Sequence, residues 1–172
     1  PRLNAFRAFV SNDNWCYQPW FNNGLHNLKH KAVDAQVIKE KNGNVKLTFT
    51  VVSQAPNAAQ LQSKNGRYDS GIHTLIEHND RPFGENDFKF TSNQIWTIYP
   101  DGSIELQSAI TSSNPGVVLA RLGYEMQVPA QLDQLAYYGR GPIDNYNARK
   151  TGQFTEQPKP TVAPELATFP TP

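Results

Sequence analysis

Apolar residues recur at every second position through much of the chain, the period of strands that bury one face. Val33, Ala35 and Val37 alternate with other residues over Ala32–Lys39, and Val45, Leu47, Phe49 and Val51 do so over Val45–Val52. Between them, Asn42-Gly43 offers the positive-φ positions of a tight hairpin turn. A second hairpin is predicted from Phe88–Tyr99 and Ser103–Thr111, with Ile104, Leu106 and Ile110 on one side and a turn at Pro100-Asp101-Gly102. Further strands are expected at Val117–Val128 and Leu132–Tyr138, separated by Pro129. A short helix fits only Pro19–Lys31, where Gly24 weakens it. The segment Gln54–Asn86, rich in Asn, Gln, Ser and Gly, reads as long loops. Strands do not alternate with helices, so a parallel βαβ sheet is set aside. The expected fold class is all-β, an antiparallel sandwich.

With 172 residues the chain has the length of one domain and can bury a core without disulfide or metal staples. Its last sixteen residues, 157–172, carry five prolines and resist both helix and central strand. The reading is therefore a β-sandwich over 1–156 and an extended connector over 157–172 that leads onward. Sixteen Lys and Arg against fifteen Asp and Glu give a net charge of +1. That balance lacks the basic footprint of a nucleic-acid partner. No window approaches the roughly 18 apolar residues of a membrane span. A single cysteine, Cys16, rules out an internal disulfide and leaves little for a thiolate metal cage. The chain opens on Pro1 and its one methionine is Met126, the marks of an excised or processed piece. Compartment stays open, periplasmic or cytoplasmic.

Candidate chemistry is sparse. His26 and His30 have the i, i+4 spacing of a helical zinc pair, but no acidic residue stands in the catalytic position between them and no third ligand follows. His73 and His78 lie beside Glu77 and Asp80, a set able to shuttle protons or simply to line a polar loop. Cys16 has aromatic neighbours and no adjacent base, so it reads as a buried thiol. Gly139-Arg140-Gly141-Pro142 lacks the spacing of a phosphate loop and reads as a tight turn, with Arg140 pairing to a carboxylate or carbonyl. No acidic pair sits in a recognisable glycosidase motif. The richest binding chemistry lies in Ser11–Trp20. There indole faces could stack on sugar C–H faces while Asn and Asp fix hydroxyls, or Trp15, Tyr17 and Trp20 could anchor a core.

Two stretches carry a resemblance. Asn4-Ala-Phe-Arg-Ala-Phe-Val-Ser-Asn-Asp13 resembles the segment N-x-x-R-A-P-x-D-N-D that opens the last domain of family 2 β-galactosidases. Leu119–Pro129, followed by Tyr137-Tyr-Gly-Arg-Gly-Pro-Ile-Asp-Asn-Tyr146 and Arg149, resembles that domain's R-x-G…P…Y-x-G-x-G-P-x-E-N-Y-x-D-R signature. Departures are Phe9 for Pro, Ser11 for Asp, Asp144 for Glu and Ala148 for Asp. The resemblance implies a galactose-mutarotase-like supersandwich, truncated here, whose parent hydrolyses terminal β-galactosides with retention. It implies no catalytic residue in this chain, since the paired glutamates belong to a separate (β/α)8 barrel. It implies no cofactor either: the parent's Mg and Na ions would be bound mainly outside this domain. Asn12, Asp13, Asn14, Trp15 and Trp20 become candidates for the substrate rim. Arg7, Arg121, Tyr138, Arg140, Asn145, Tyr146 and Arg149 become structural motif residues. The implied partners are the barrel, the second half of this domain and a galactoside, in a parent that can be homo-oligomeric. The competing class is a stand-alone carbohydrate-binding module with Trp15, Trp20 and Trp96 as its platform. A mutarotase-like enzyme pairing His73 or His78 with Glu125 is a third.

Overall fold

The structure, a computed structural model, describes residues 1–10, 13, 16–63, 73–141 and 154–156. The chain divides into two compact units, Pro1–Met126 and Gln127–Pro172. In the first unit the elements run β1 (Arg2–Asn4), helix α1 (Tyr17–Asn22), a single 3₁₀ turn (Leu25–Asn27), β2 (Lys29–Lys39), β3 (Val45–Gln54), β4 (Asn57–Ser63), β5 (His73–Pro82), β6 (Phe90–Ile98), β7 (Ile104–Ser112) and β8 (Gly123–Glu125). Its centre is a four-stranded antiparallel sheet in the order β2-β3-β6-β7. Two antiparallel pairs accompany it, β1 with β8 and β4 with β5. The second unit contributes β9 (Gly139–Gly141) and β10 (Phe154–Glu156), also antiparallel. The fold is all-β, as the alternation implies.

Register explains why the central sheet has two unlike faces. Val37, Leu47, Trp96 and Leu106 fall in one cross-strand row, with Val45, Ile98 and Ile104 in the next. The opposite face carries Gln36, Thr48, Ile95 and Gln107 in one row and Ile38, Lys46, Thr97 and Glu105 in another. The first face continues through Gln94, Ser92 and Ser53, all buried, while on the second Thr97 is buried and Ile38 and Ile95 are exposed, so the two faces differ in residue type without a clean division into buried and solvated sides. At one end of the apolar face Phe90 and Phe88 join the core of α1, β1 and β4, formed by Leu3, Ala5, Tyr17, Trp20, Phe21, Leu25 and Ala59. At the other end cover is missing: Val37 is 64% and Ile104 60% exposed.

Both predicted hairpins form, with one correction to turn chemistry. Asn42 does not take positive φ; Gly43 alone does. The Gly43 amide donates to the Glu40 carbonyl and the Glu40 amide to Asn44, a type I turn closed by a left-handed glycine. Tyr99–Ser103 repeats the arrangement with Gly102. Gln54–Asn86 is a second correction. Most of it forms β4 and β5 rather than loops. Val117–Val128 yields only the three residues of β8, and no strand occupies Leu132–Tyr138. Gly139–Gly141 is a strand paired to β10, not a tight turn.

Helix α1 stops where Gly24 turns left-handed, with φ +66°. A Cβ there would lie 2.1 Å from the Ala55 Cβ. Both the dihedral and the space demand glycine, and the turn sends the chain from helix into β2. Gly24→Ala is therefore expected to destabilise the unit by roughly 2 kcal/mol or more through strain and overpacking. A urea midpoint equal to that of the unaltered chain would contradict this packing.

Candidate functional site

Charge in the first twenty residues is organised by Arg7. Its guanidinium donates to both carboxylate oxygens of Asp13, Nη1 to Oδ2 at 2.6 Å and Nη2 to Oδ1 at 3.1 Å. Nη1 also donates to the Ala8 carbonyl at 2.9 Å. The same Oδ2 accepts the Val10 amide at 2.8 Å. The Asp13 main chain completes the clamp. Its amide donates to the Val10 carbonyl, and its carbonyl accepts the Cys16 amide, each at 2.8 Å. Asp13 thus ties Arg7 and Val10 through its carboxylate and Cys16 through its main-chain carbonyl. Bidentate, charge-assisted bonds of this kind fix orientation as well as energy.

Beneath the clamp lies Trp20. The guanidinium sits 5.6 Å from the centre of its indole ring, a cation–π distance. Its Nε1 donates to the Val118 carbonyl at 2.8 Å, joining helix α1 to the segment before β8. Phe9 stacks on Tyr17 at 4.7 Å between ring centres and meets His73 edge-on at 5.2 Å. The stretch containing Asp13 is therefore held by salt bridge above and aromatic packing below.

Electrostatics follow burial. Burial by itself would push the Asp13 carboxyl up; the hydrogen bonds from Arg7 and Val10, with the Arg7 charge, outweigh it and hold the group below its ordinary range. Burial pushes the Cys16 thiol up, the nearby Asp13 adding to the effect. Cys16 is buried and free, the inert thiol its neighbours suggest.

Several candidate residues are placed differently from expectation. Trp20 is only 2% exposed, so its ring is a core anchor and cannot stack on a sugar at the rim of this chain. Asp13, 8% exposed, spends its carboxylate on Arg7 and Val10. Asn12, Asn14 and Trp15 lie outside the described residues, as do Asn145, Tyr146 and Arg149. Arg121 is exposed and Tyr138 is 81% exposed. Arg140 pairs through its backbone with Thr155. Trp96 lies on β6, its Nε1 donating to Gln94, so Trp20 and Trp96 form no common platform.

The histidines also regroup. His26 lies in the 3₁₀ turn and His30 in β2, so they share no helix face. His73 and His78 are on β5 and Glu125 ends β8. Glu125 accepts from the Arg2 Nε and, at 2.6 Å, from the Asn4 side-chain Nδ2, in a polar cleft of about 220 Å³ whose walls include His26 and His30. Asn4 and Arg2 hold the Glu125 carboxyl low. Burial, with Arg2 next, lowers His30, whose Nδ1 is bonded to the Ser53 hydroxyl at 2.8 Å. Among the described residues no three of His, Cys, Asp and Glu converge in a way that would hold a metal. Among the described residues no helix is long and apolar enough to cross a membrane.

An all-β unit with a clamped arginine–aspartate loop thus carries the first motif, and comparison gives it a family. The chain matches the family described as β-galactosidase small chain over residues 1–172, and it belongs to that family. A β-galactosidase of Halalkalibacterium halodurans is 27% identical over 173 residues, covering 97% of this chain and 14% of that protein. A β-galactosidase of Priestia megaterium is 30% identical over 74 residues, 43% of this chain and 7% of that protein. The chain therefore spans about a seventh of the first of these relatives. No solved structure matches it.

The clamp predicts a pH signature. Because the Asp13 pKa is lowered on folding, its stabilisation is complete above the unfolded carboxylate value of about 3.9 and is lost as pH falls through the folded value. Asp13→Asn should cost on the order of 2 kcal/mol at pH 7, a difference that narrows below about pH 4. Equal stability of the two proteins at pH 7 would remove the clamp from the account.

Proposed function

We propose that this chain is a non-catalytic section of a β-galactosidase that hydrolyses terminal β-galactosides, and that it serves the enzyme by shaping the rim of the active site. The reading is supported by its membership of the small-chain family and by relatives named β-galactosidase of which it spans a small part. The observation that carries the role is the Arg7–Asp13 clamp. A bidentate pair tied to both Val10 and Cys16 is more than a short surface segment needs for its own stability. It makes sense where the side chains on either side of Asp13 must be held in register.

Roles divide accordingly. Arg7 and Asp13 position the segment, while Asn12, Asn14 and Trp15 are the residues assigned to substrate or to the barrel mouth. Trp20 supports them from the core. The half-exposed apolar face around Val37, Leu47, Trp96 and Leu106 is assigned to packing against other parts of the parent enzyme. Hydrolysis needs an acid and a nucleophile on either side of the glycosidic bond, and these are assigned to a separate catalytic barrel.

Three measurements test this. The isolated chain should show no turnover of an aryl β-galactoside; turnover that copurifies with the chain through every step would overturn the assignment. In the full-length enzyme, Arg7→Lys keeps charge but loses the bidentate fork. It should lower kcat/KM by roughly 10- to 100-fold through misplacement, without abolishing activity. Unchanged kcat/KM would remove the rim role. Saturable binding of galactose or lactose by the isolated chain would instead favour an autonomous sugar-binding module.

A further inference from the structure

Strand β1, the 3₁₀ turn and the start of β2 meet the end of β8 around the cleft of about 220 Å³. That volume falls below the roughly 300–1,000 Å³ of pockets for drug-sized ligands, so the cleft suits a small one. Its walls carry more positive than negative charge. Arg2 and Lys29 each bring a cation, and Glu125 is the one carboxylate among the lining residues. Glu125 is already committed, one oxygen to the Arg2 Nε and the other to the Asn4 Nδ2. Among the described residues the Arg2 guanidinium is bonded through Nε alone, which leaves its two Nη groups to donate. Lys29 has neither an ion pair nor a side-chain hydrogen bond among them.

The histidines in the wall add a donor. Ser53 is fully buried, and its hydroxyl meets the His30 Nδ1 at 2.8 Å. A buried hydroxyl has to place its hydrogen, and among the described residues Nδ1 is its one partner. The hydroxyl therefore donates, so His30 is neutral and carries its own proton on Nε2. Burial lowers the His30 pKa, Arg2 and Lys29 add to the effect, and Glu125 opposes it. His26, in the same wall, has its Nδ1 buried without a hydrogen-bond partner. We propose that this cleft binds a small oxyanion, the phosphate, sulfate or carboxylate group of a low-molecular-weight solute, held by the Arg2 Nη groups, the Lys29 ammonium and the His30 Nε2 proton. A guanidinium fork matches paired oxygens in geometry, and an anion supplies the countercharge that Lys29 lacks. A neutral sugar would leave that charge unmatched. The cleft shares no residue with the Arg7–Asp13 clamp, and the proposal does not rest on the rim role.

Calorimetric titration of the full-length polypeptide with sodium sulfate, at neutral pH and fixed ionic strength, tests the proposal. Saturable binding is expected, weakened roughly 10-fold by Lys29→Gln through loss of one charge-assisted contact. That variant removes a charge with no described partner, so the β1–β8 pairing is kept. Arg2→Gln should weaken binding as well; where loss of its bond to Glu125 unfolds the protein, Lys29→Gln decides alone. No saturable binding, or the same affinity in Lys29→Gln, overturns the proposal. Displacement of sulfate by phosphate or by acetate supports it. Displacement by galactose and by neither anion makes the cleft a neutral-sugar site and overturns it. Hydrolysis enters none of these readouts, so failure here is distinct from failure of the functional reading.

Discussion

A single ion pair sets the geometry of the amino-terminal region. Arg7 and Asp13 are six residues apart, too close for a separate core to hold them and too far for a turn to enforce the contact. What fixes them is mutual satisfaction of a half-buried guanidinium and a buried carboxylate, with the Val10 amide as third partner. Removing either charge would leave the other partly desolvated, which is why such pairs cost more to break than their net attraction suggests. The indole of Trp20 lies under the guanidinium and ties the arrangement through Val118 to the strand that pairs with β1. Helix α1 is thus placed by a charge above it and a hydrogen bond beside it, and the core of unit 1 forms around it.

The central sheet is built on a different constraint. One face mixes Thr and Gln with Ile38 and Ile95, whereas the other carries the row Val37, Leu47, Trp96 and Leu106 and is only partly covered. Exposed apolar residues are normal when scattered, but a row in register from strand to strand forms a surface made for contact.

The parts legible in the sequence were those governed by period two. Val33–Val37, Val45–Val51 and the Ile104–Ile110 stretch alternate cleanly and end in glycine turns, and all became strands of the central sheet. Composition misled where it outvoted pattern. In β5, Leu75 and Ile76 are adjacent rather than alternating, and β4 offers Leu61 among alanines and glutamines. Pairing across the hairpin overrides such weak local preference. The long strand expected at Val117–Val128 failed for another reason: Val117, Leu119 and Ala120 pack against the core without joining a ladder. At the site, the types and order of Arg7 and Asp13 could be read from the motif. Their contact could not, nor could the burial of Trp20, because both depend on a helix that the chain folds back beneath them. Glu125 likewise joined Arg2 and Asn4 through the β1–β8 pairing, which no local spacing announces.

The central claim is that Arg7 and Asp13 act as one unit. A double-mutant cycle on folding stability addresses it directly, using Arg7→Ala, Asp13→Ala and the pair at neutral pH. The account gives a coupling free energy of about 1.5–3 kcal/mol, so that the double variant is scarcely less stable than the worse single one. Additive single effects, with coupling within roughly 0.3 kcal/mol of zero, would show two independent surface charges and contradict the clamp.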